Sequence, residues 1–150
     1  MSLDPLLACA GKWTGTNVLE IPVYNIYDQS AATLTLTPIS HNRFVRLDYT
    51  WSYKDEPQEG SMWIGFDPEA QRAVIGWIDT WHMGYDIMTL RGAIEGNAVN
   101  VLGSWAAPEG PDWGWRIVVT AGSEALTVTM YNIPPSGEEI LAVTATYERA

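Results

Sequence analysis

The sequence predicts an all-β domain, an antiparallel up-and-down β-barrel of about ten strands behind a short N-terminal helical turn. Three observations carry that expectation. Clusters of Gly, Pro, Asn and Asp return at short intervals, from Lys54–Gly60 to Asn132–Gly137, and supply the torsions that reverse a chain. Between them lie runs of about five to ten residues rich in Val, Ile, Thr, Trp and Tyr, the chemistry of strands. No segment sustains helical periodicity over three turns.

Taken in order, Asp4 to Ala10 makes one helical turn, with Asp4 as N-cap and Pro5 where its missing N–H costs nothing. Strands then follow at Lys12–Glu20 and Ala31–Pro38, the second setting Leu34 and Leu36 against Thr33, Thr35 and Thr37. Arg43–Tyr53 alternates most clearly: Val45, Leu47, Tyr49, Trp51 and Tyr53 share one face, Arg46, Asp48, Thr50 and Ser52 the other. The turn Lys54–Gly60 leads to Ser61–Asp67, and Asp67–Gln71 reverses the chain into Ala73–Thr80. Tyr85–Ala93 and Val99–Ala106 flank Glu95-Gly96-Asn97. Gly114–Ala121, Ala125–Asn132 and Ile140–Glu148 complete the set, with Leu126, Val128 and Met130 opposing Thr127, Thr129 and Tyr131. One wet and one dry face, joined by short reversals, describe an antiparallel meander. Ten such strands twist until the sheet closes or splits, and closure removes exposed edges. A two-sheet sandwich is the alternative; the lack of internal repeats argues against a propeller.

Residues 1–150 have the length of one domain, enough to bury about two-thirds of the unfolded surface without a staple. Cys9 is the single cysteine, so no intramolecular disulfide forms and a reducing, cytoplasmic setting is expected. Met1–Ala10 has no basic start, and its apolar run from Leu6 to Ala10 is too short for a signal sequence. Leu6-Leu7-Ala8-Cys9 looks like a lipoprotein cleavage box but lacks the charged start and long apolar core such a box follows. No run of about eighteen apolar residues predicts a membrane helix. The net charge of −10, from 18 acids and 8 bases, repels phosphate backbones and anionic lipid, so neither nucleic acid nor membrane is an expected partner. Eight Trp and seven Tyr accompany only two Phe. That balance suits a surface both apolar and hydrogen-bonding, or a barrel centre filled with large rings.

Gly11-Lys12-Trp13 opens the first strand after a short apolar lead-in, and resembles the Gly-x-Trp signature of lipocalins and related calycins. The resemblance implies that Trp13 plugs one barrel end while a basic side chain near the C-terminus packs across its ring. Arg149 stands in that place, and a guanidinium over an indole is worth about 0.5–2 kcal/mol. A wider set is similar to a bacterial family of unknown function in that superfamily: Leu6-Leu7, Gly11–Gly15, Gly60–Asp67, Trp77–His82 and Asp86–Gly92. It spans most of the chain and implies a closed, calycin-like barrel, not an activity. Nitrobindin-like haem barrels open similarly and hold iron through a late His. Here Gly114–Ala150 contains no His, so neither haem nor another cofactor is expected.

The sharpest local pattern is Ile75, Trp77, Asp79 and Trp81 on one face, a carboxylate between two indoles. Lining a cavity, Asp79 would be desolvated, with its pKa raised, and able to act as acid, base or ligand anchor. The structural alternative is an Asp accepting indole or backbone N–H bonds. His82 follows in a turn and Asp86 starts the next strand; no standard metal spacing joins the three, so no metal site is expected. His41 reads as a plain turn residue. Arg91 and Arg116 sit in strands but face away from their apolar neighbours, toward solvent. The expected aromatic lining is Tyr49, Trp51, Trp63, Trp77, Trp81, Trp105 and Trp115, with Trp63 sharing its face only with Ser61, Gly65 and Asp67. Gly65, Gly76 and Gly103 suggest strand kinks or room for a ligand. No Ser-His-Asp or Cys-His set assembles, and Gly11–Gly15 lacks the P-loop form.

These features predict a binding module for a small, largely apolar or aromatic molecule in the lumen, oriented by Asp79 and a Tyr hydroxyl. Two alternatives use the same scaffold. One is an isomerase or hydrolase with Asp79 as acid or base and His82 assisting; the other is an interaction protein with a filled barrel. A homodimer through an apolar outer face is compatible with all three.

Overall fold

The computed structural model describes residues 1–150. A one-turn helix α1 (Asp4–Leu7) leads into ten strands: β1 (Gly11–Ile21), β2 (Ile26–Ile39), β3 (Phe44–Tyr53), β4 (Glu56–Asp67), β5 (Arg72–Asp79), β6 (Met88–Glu95), β7 (Ala98–Trp105), β8 (Trp113–Ala121), β9 (Ala125–Ile133) and β10 (Ile140–Arg149). Each strand pairs antiparallel with its sequence neighbour, and β10 returns to β1 with Trp13 opposite Arg149. The sheet is a closed up-and-down barrel, with no free edge left for another chain to pair with. No helix is long and apolar enough to cross a membrane.

Three strand starts differ from the sequence reading by three residues or more, each for a local reason; the other bounds agree within two residues. β2 starts at Ile26, because Tyr27–Ser30 pair with β1 although they carry no apolar alternation. β4 starts at Glu56, because Lys54 and Asp55 both adopt positive φ (48° and 65°) and reverse the chain in two residues. β6 starts at Met88, leaving Tyr85–Ile87 in a connection with no ladder partner.

The inner face follows the alternation. Val45, Leu47, Tyr49 and Trp51 of β3 are buried, as are Leu126, Val128 and Met130 of β9. A bulge between Leu141 and Val143 shifts β10 so that Val143, Ala145 and Tyr147 point inward. Arg91 is exposed, and Arg116 lies outside against Glu139 and Asn100.

One end of the barrel is closed by the N-terminal lead-in. Leu3, Leu6 and Cys9 are buried over Trp13, whose Nε1 donates to the Cys9 carbonyl at 2.8 Å. The Arg149 guanidinium stands 4.5 Å above the Trp13 ring and donates to the carbonyls of Ala8 and Ala10, tying the helical turn to the last strand. Burial pushes the Cys9 thiol up, against the opposing Arg149 charge, so it is kept as an uncharged apolar filler. The other end, where β1, β3, β5, β7 and β9 finish, is the mouth.

Candidate functional site at the barrel mouth

Asp79 is the last residue of β5 and is almost wholly buried. Its Oδ2 accepts from the Tyr49 hydroxyl (2.6 Å) and Trp51 Nε1 (3.2 Å); its Oδ1 accepts from the backbone N–H groups of Trp81 and His82 (both 2.8 Å). Trp77 Nε1 donates to the Tyr49 oxygen at 2.8 Å. Four donors saturate a carboxylate that can only accept.

The row Tyr49–Gly60–Asp79 runs across three paired strands and explains how this contact forms. A Cβ on Gly60 would lie 2.2 Å from the Tyr49 hydroxyl oxygen, so only glycine lets the phenol pass over β4 to reach β5. Burial, then the Asp79 charge, hold the Tyr49 hydroxyl well above its ordinary pKa, so it remains a donor.

His82 is the centre of the aromatic group. Its ring centroid lies 4.8 Å from Trp81 edge-on, 5.6 Å from Trp51 stacked at 29°, 5.6 Å from Trp77 and 5.5 Å from Trp115. Trp77 and Trp115 stack on each other at 5.7 Å and 13°. Burial lowers the His82 pKa, with the Asp79 charge opposing. The side chain is half-buried and plugs the mouth. It meets Asp79 through its backbone N–H rather than its imidazole, so the two form no acid–base dyad.

The lumen beneath is filled apart from a void of about 20 Å³, room for a single water. Asn17 and Tyr147, both buried, line it beside Asp79 and His82, and neither side chain hydrogen-bonds to protein. The Trp115 indole N–H is also buried without an acceptor.

The expected lining is therefore divided. Tyr49, Trp51, Trp77 and Trp115 are buried inside, and Trp81 caps the mouth against Trp51 and Tyr53. Trp105 is half-buried at the rim, donating to Asn132 at 3.1 Å and packed on Trp113. Trp63 is corrected: it lies on the outer face, 56% exposed, because it alternates with the inward Met62 and Ile64. The three glycines leave no lumenal space. Met88 and Leu90 fill the place of a Gly103 side chain, Phe44 covers Gly65, and Gly76 opens away from its inward neighbours Ile75 and Trp77. Asp86 is exposed and bonds the N–H of Ile87, apart from Asp79. The sequence reading missed Asn17, Tyr147 and Gly60. Asn17 alternates with Leu19 and Tyr147 with Ala145, so strand parity marked both as inward.

Fold and site together define a closed antiparallel ten-stranded barrel with a tryptophan-lined mouth, consistent with a calycin-like domain. A family model described as "Protein of unknown function (DUF1579)" matches residues 4–149, and the chain belongs to that family. Among solved structures it is similar to Rv2717c from M. tuberculosis, with a TM-score of 0.69 and 10% identity over 99% of this chain and 96% of that one. At that identity the likeness shows the fold alone. A protein of unknown function from the DUF3598 family of Nostoc punctiforme aligns with a TM-score of 0.42 and 15% identity, covering 100% of this chain and 49% of that one. No curated protein matches the chain.

Proposed function

We propose that the protein binds a small, largely apolar or aromatic molecule at the mouth and upper lumen of its barrel. The observation that carries this reading is an indole N–H left without an acceptor in an apolar interior, together with two polar side chains that face the void. The Trp115 N–H is buried without an acceptor, and Asn17 and Tyr147 turn their polar ends to the void. An indole N–H left unsatisfied costs about 1–3 kcal/mol relative to a satisfied one, and polar side chains turned to a void are unusual in a purely structural core. A ligand with one or two polar atoms on a flat apolar body offsets that cost. The void admits only water, so binding requires the His82 ring to leave its place.

One observation favours a second reading, a filled structural barrel: the small void itself. Native mass spectrometry of freshly purified protein separates the two. A discrete extra mass that leaves on unfolding supports lumenal binding. A clean apo mass, with indole N–H resonances unmoved by a panel of small aromatic molecules, supports the filled barrel.

A further inference from the structure

The place occupied by the His82 ring has two chemical properties that narrow what could replace it. Four indoles lie beside it with centroids 4.8–5.6 Å from the imidazole: Trp51 face to face at 29°, Trp77 and Trp115 tilted at 41° and 52°, and Trp81 at 79°. Indole faces are electron-rich and attract a cation within about 6 Å of the ring centroid. The box has no free anionic acceptor, however, because all four acceptor positions of Asp79 are taken. A cation bearing N–H donors would lose its water there and find no carboxylate to bond. The same cost keeps His82 neutral in this place.

The approach to the box is also charged. The mouth connections carry Asp55, Asp86, Glu109, Asp112 and Glu138 against Lys54 alone, and Glu139 is tied to Arg116. An acidic rim around a low-dielectric opening concentrates cations at the mouth and repels anions.

We propose that the Trp51–Trp77–Trp81–Trp115 box takes a small organic cation without N–H donors, a quaternary ammonium or N-alkylated ring, in the place that the His82 imidazole fills. This rests on the lumenal-binding reading above and names its ligand class. His82 acts as an internal stand-in: its backbone stays pinned to Asp79 while the side chain swings toward solvent. A quaternary ammonium has no N–H to satisfy, so it loses less on leaving water while the Trp51 face, the neighbouring indoles and the acidic surroundings attract it.

The test compares choline with its neutral carbon isostere, 3,3-dimethyl-1-butanol, by following indole N–H resonances in wild type and His82→Ala. The expected result is at least tenfold tighter binding of choline than of the isostere by His82→Ala. Wild type should bind choline more weakly than the variant, because its imidazole competes. Dimethylethanolammonium, which exchanges one methyl for an N–H, should bind several-fold more weakly than choline. Equal or tighter binding of the neutral isostere overturns the cation inference and leaves lumenal binding standing. No response to any of the three overturns the cation inference too, and the retained mass in native spectrometry then decides the broader reading by itself. If His82→Ala melts below the assay temperature, wild type at high ligand concentration gives the same comparison. Co-sedimentation with phosphatidylcholine vesicles separates a lipid headgroup from a free cation as the source of the ammonium.

Discussion

Asp79 shows how one residue acquires a role from its neighbours. A buried carboxylate between indoles is legible in the sequence as a candidate acid, base or anchor; its four donors make it a structural knot instead. Two of those donors are the backbone N–H groups of the second and third residues after it, which is why β5 stops there and the chain turns across the mouth. His82 carries the pH sensitivity of this knot. Its pKa in the fold lies below the ordinary 6.5, through burial and against the pull of Asp79. As the pH falls, the unfolded chain therefore takes up the proton before the folded one does. Stability is full above pH 6.5 and declines as the pH drops toward the lowered folded value. His82→Phe keeps a ring in the box and removes the titration. Melting temperatures between about pH 7.5 and 5 should fall for wild type and fall less for His82→Phe. Parallel curves would show that another group controls the slope.

At the scale of elements, the Tyr49–Gly60–Asp79 row links β3, β4 and β5 beyond their backbone ladders. Gly60→Ala places a Cβ 2.2 Å from the Tyr49 hydroxyl and 2.8 Å from the Ile78 carbonyl, which forces the phenol off Asp79. The expected loss is about 1–3 kcal/mol by urea unfolding. Gly76→Ala is the matched control on the same sheet: its Cβ would meet nothing within 4 Å, so it should change stability by less than about 0.5 kcal/mol. A similar loss at both positions would mean that backbone propensity, not the row, sets the cost. The strands themselves were largely legible, because β3 and β9 alternate without interruption and turn chemistry marks most reversals. The misplaced starts of β2 and β4 were not. Polar Tyr27–Ser30 become strand only because β1 lies alongside, and Lys54-Asp55 contains no glycine to announce a two-residue turn.

For the whole molecule, the two barrel ends differ in kind. The closed end is apolar packing under one cation–π lid, with Trp13 bonded to Cys9 and covered by Arg149. Trp13→Ala should cost about 3–5 kcal/mol, seen as a large drop in the thermal melt, because removing the plug leaves a cavity that the lead-in cannot refill. An unchanged melt would mean that the N-terminal turn, not the indole, closes the barrel. The mouth is the reverse: rings held by one saturated carboxylate, a half-buried imidazole, and an indole N–H without an acceptor. Its connections are where the fold can yield without breaking a ladder, since β5 and β6 pair only as far as Trp77 and Met88.

By itself the sequence determined the fold class, the strand count and most inward faces, because alternation and turn chemistry are local signals that survive in any context. It also marked Trp13, Arg149 and the Trp77–His82 stretch. Only the tertiary structure decided that Trp63 faces out, that Asp79 is already saturated, and that His82 occupies a box of four indoles. It decided too that the void beneath the mouth measures only about 20 Å³. Those outcomes depend on which strands lie side by side and on how large rings share one enclosed volume. No single strand records that information.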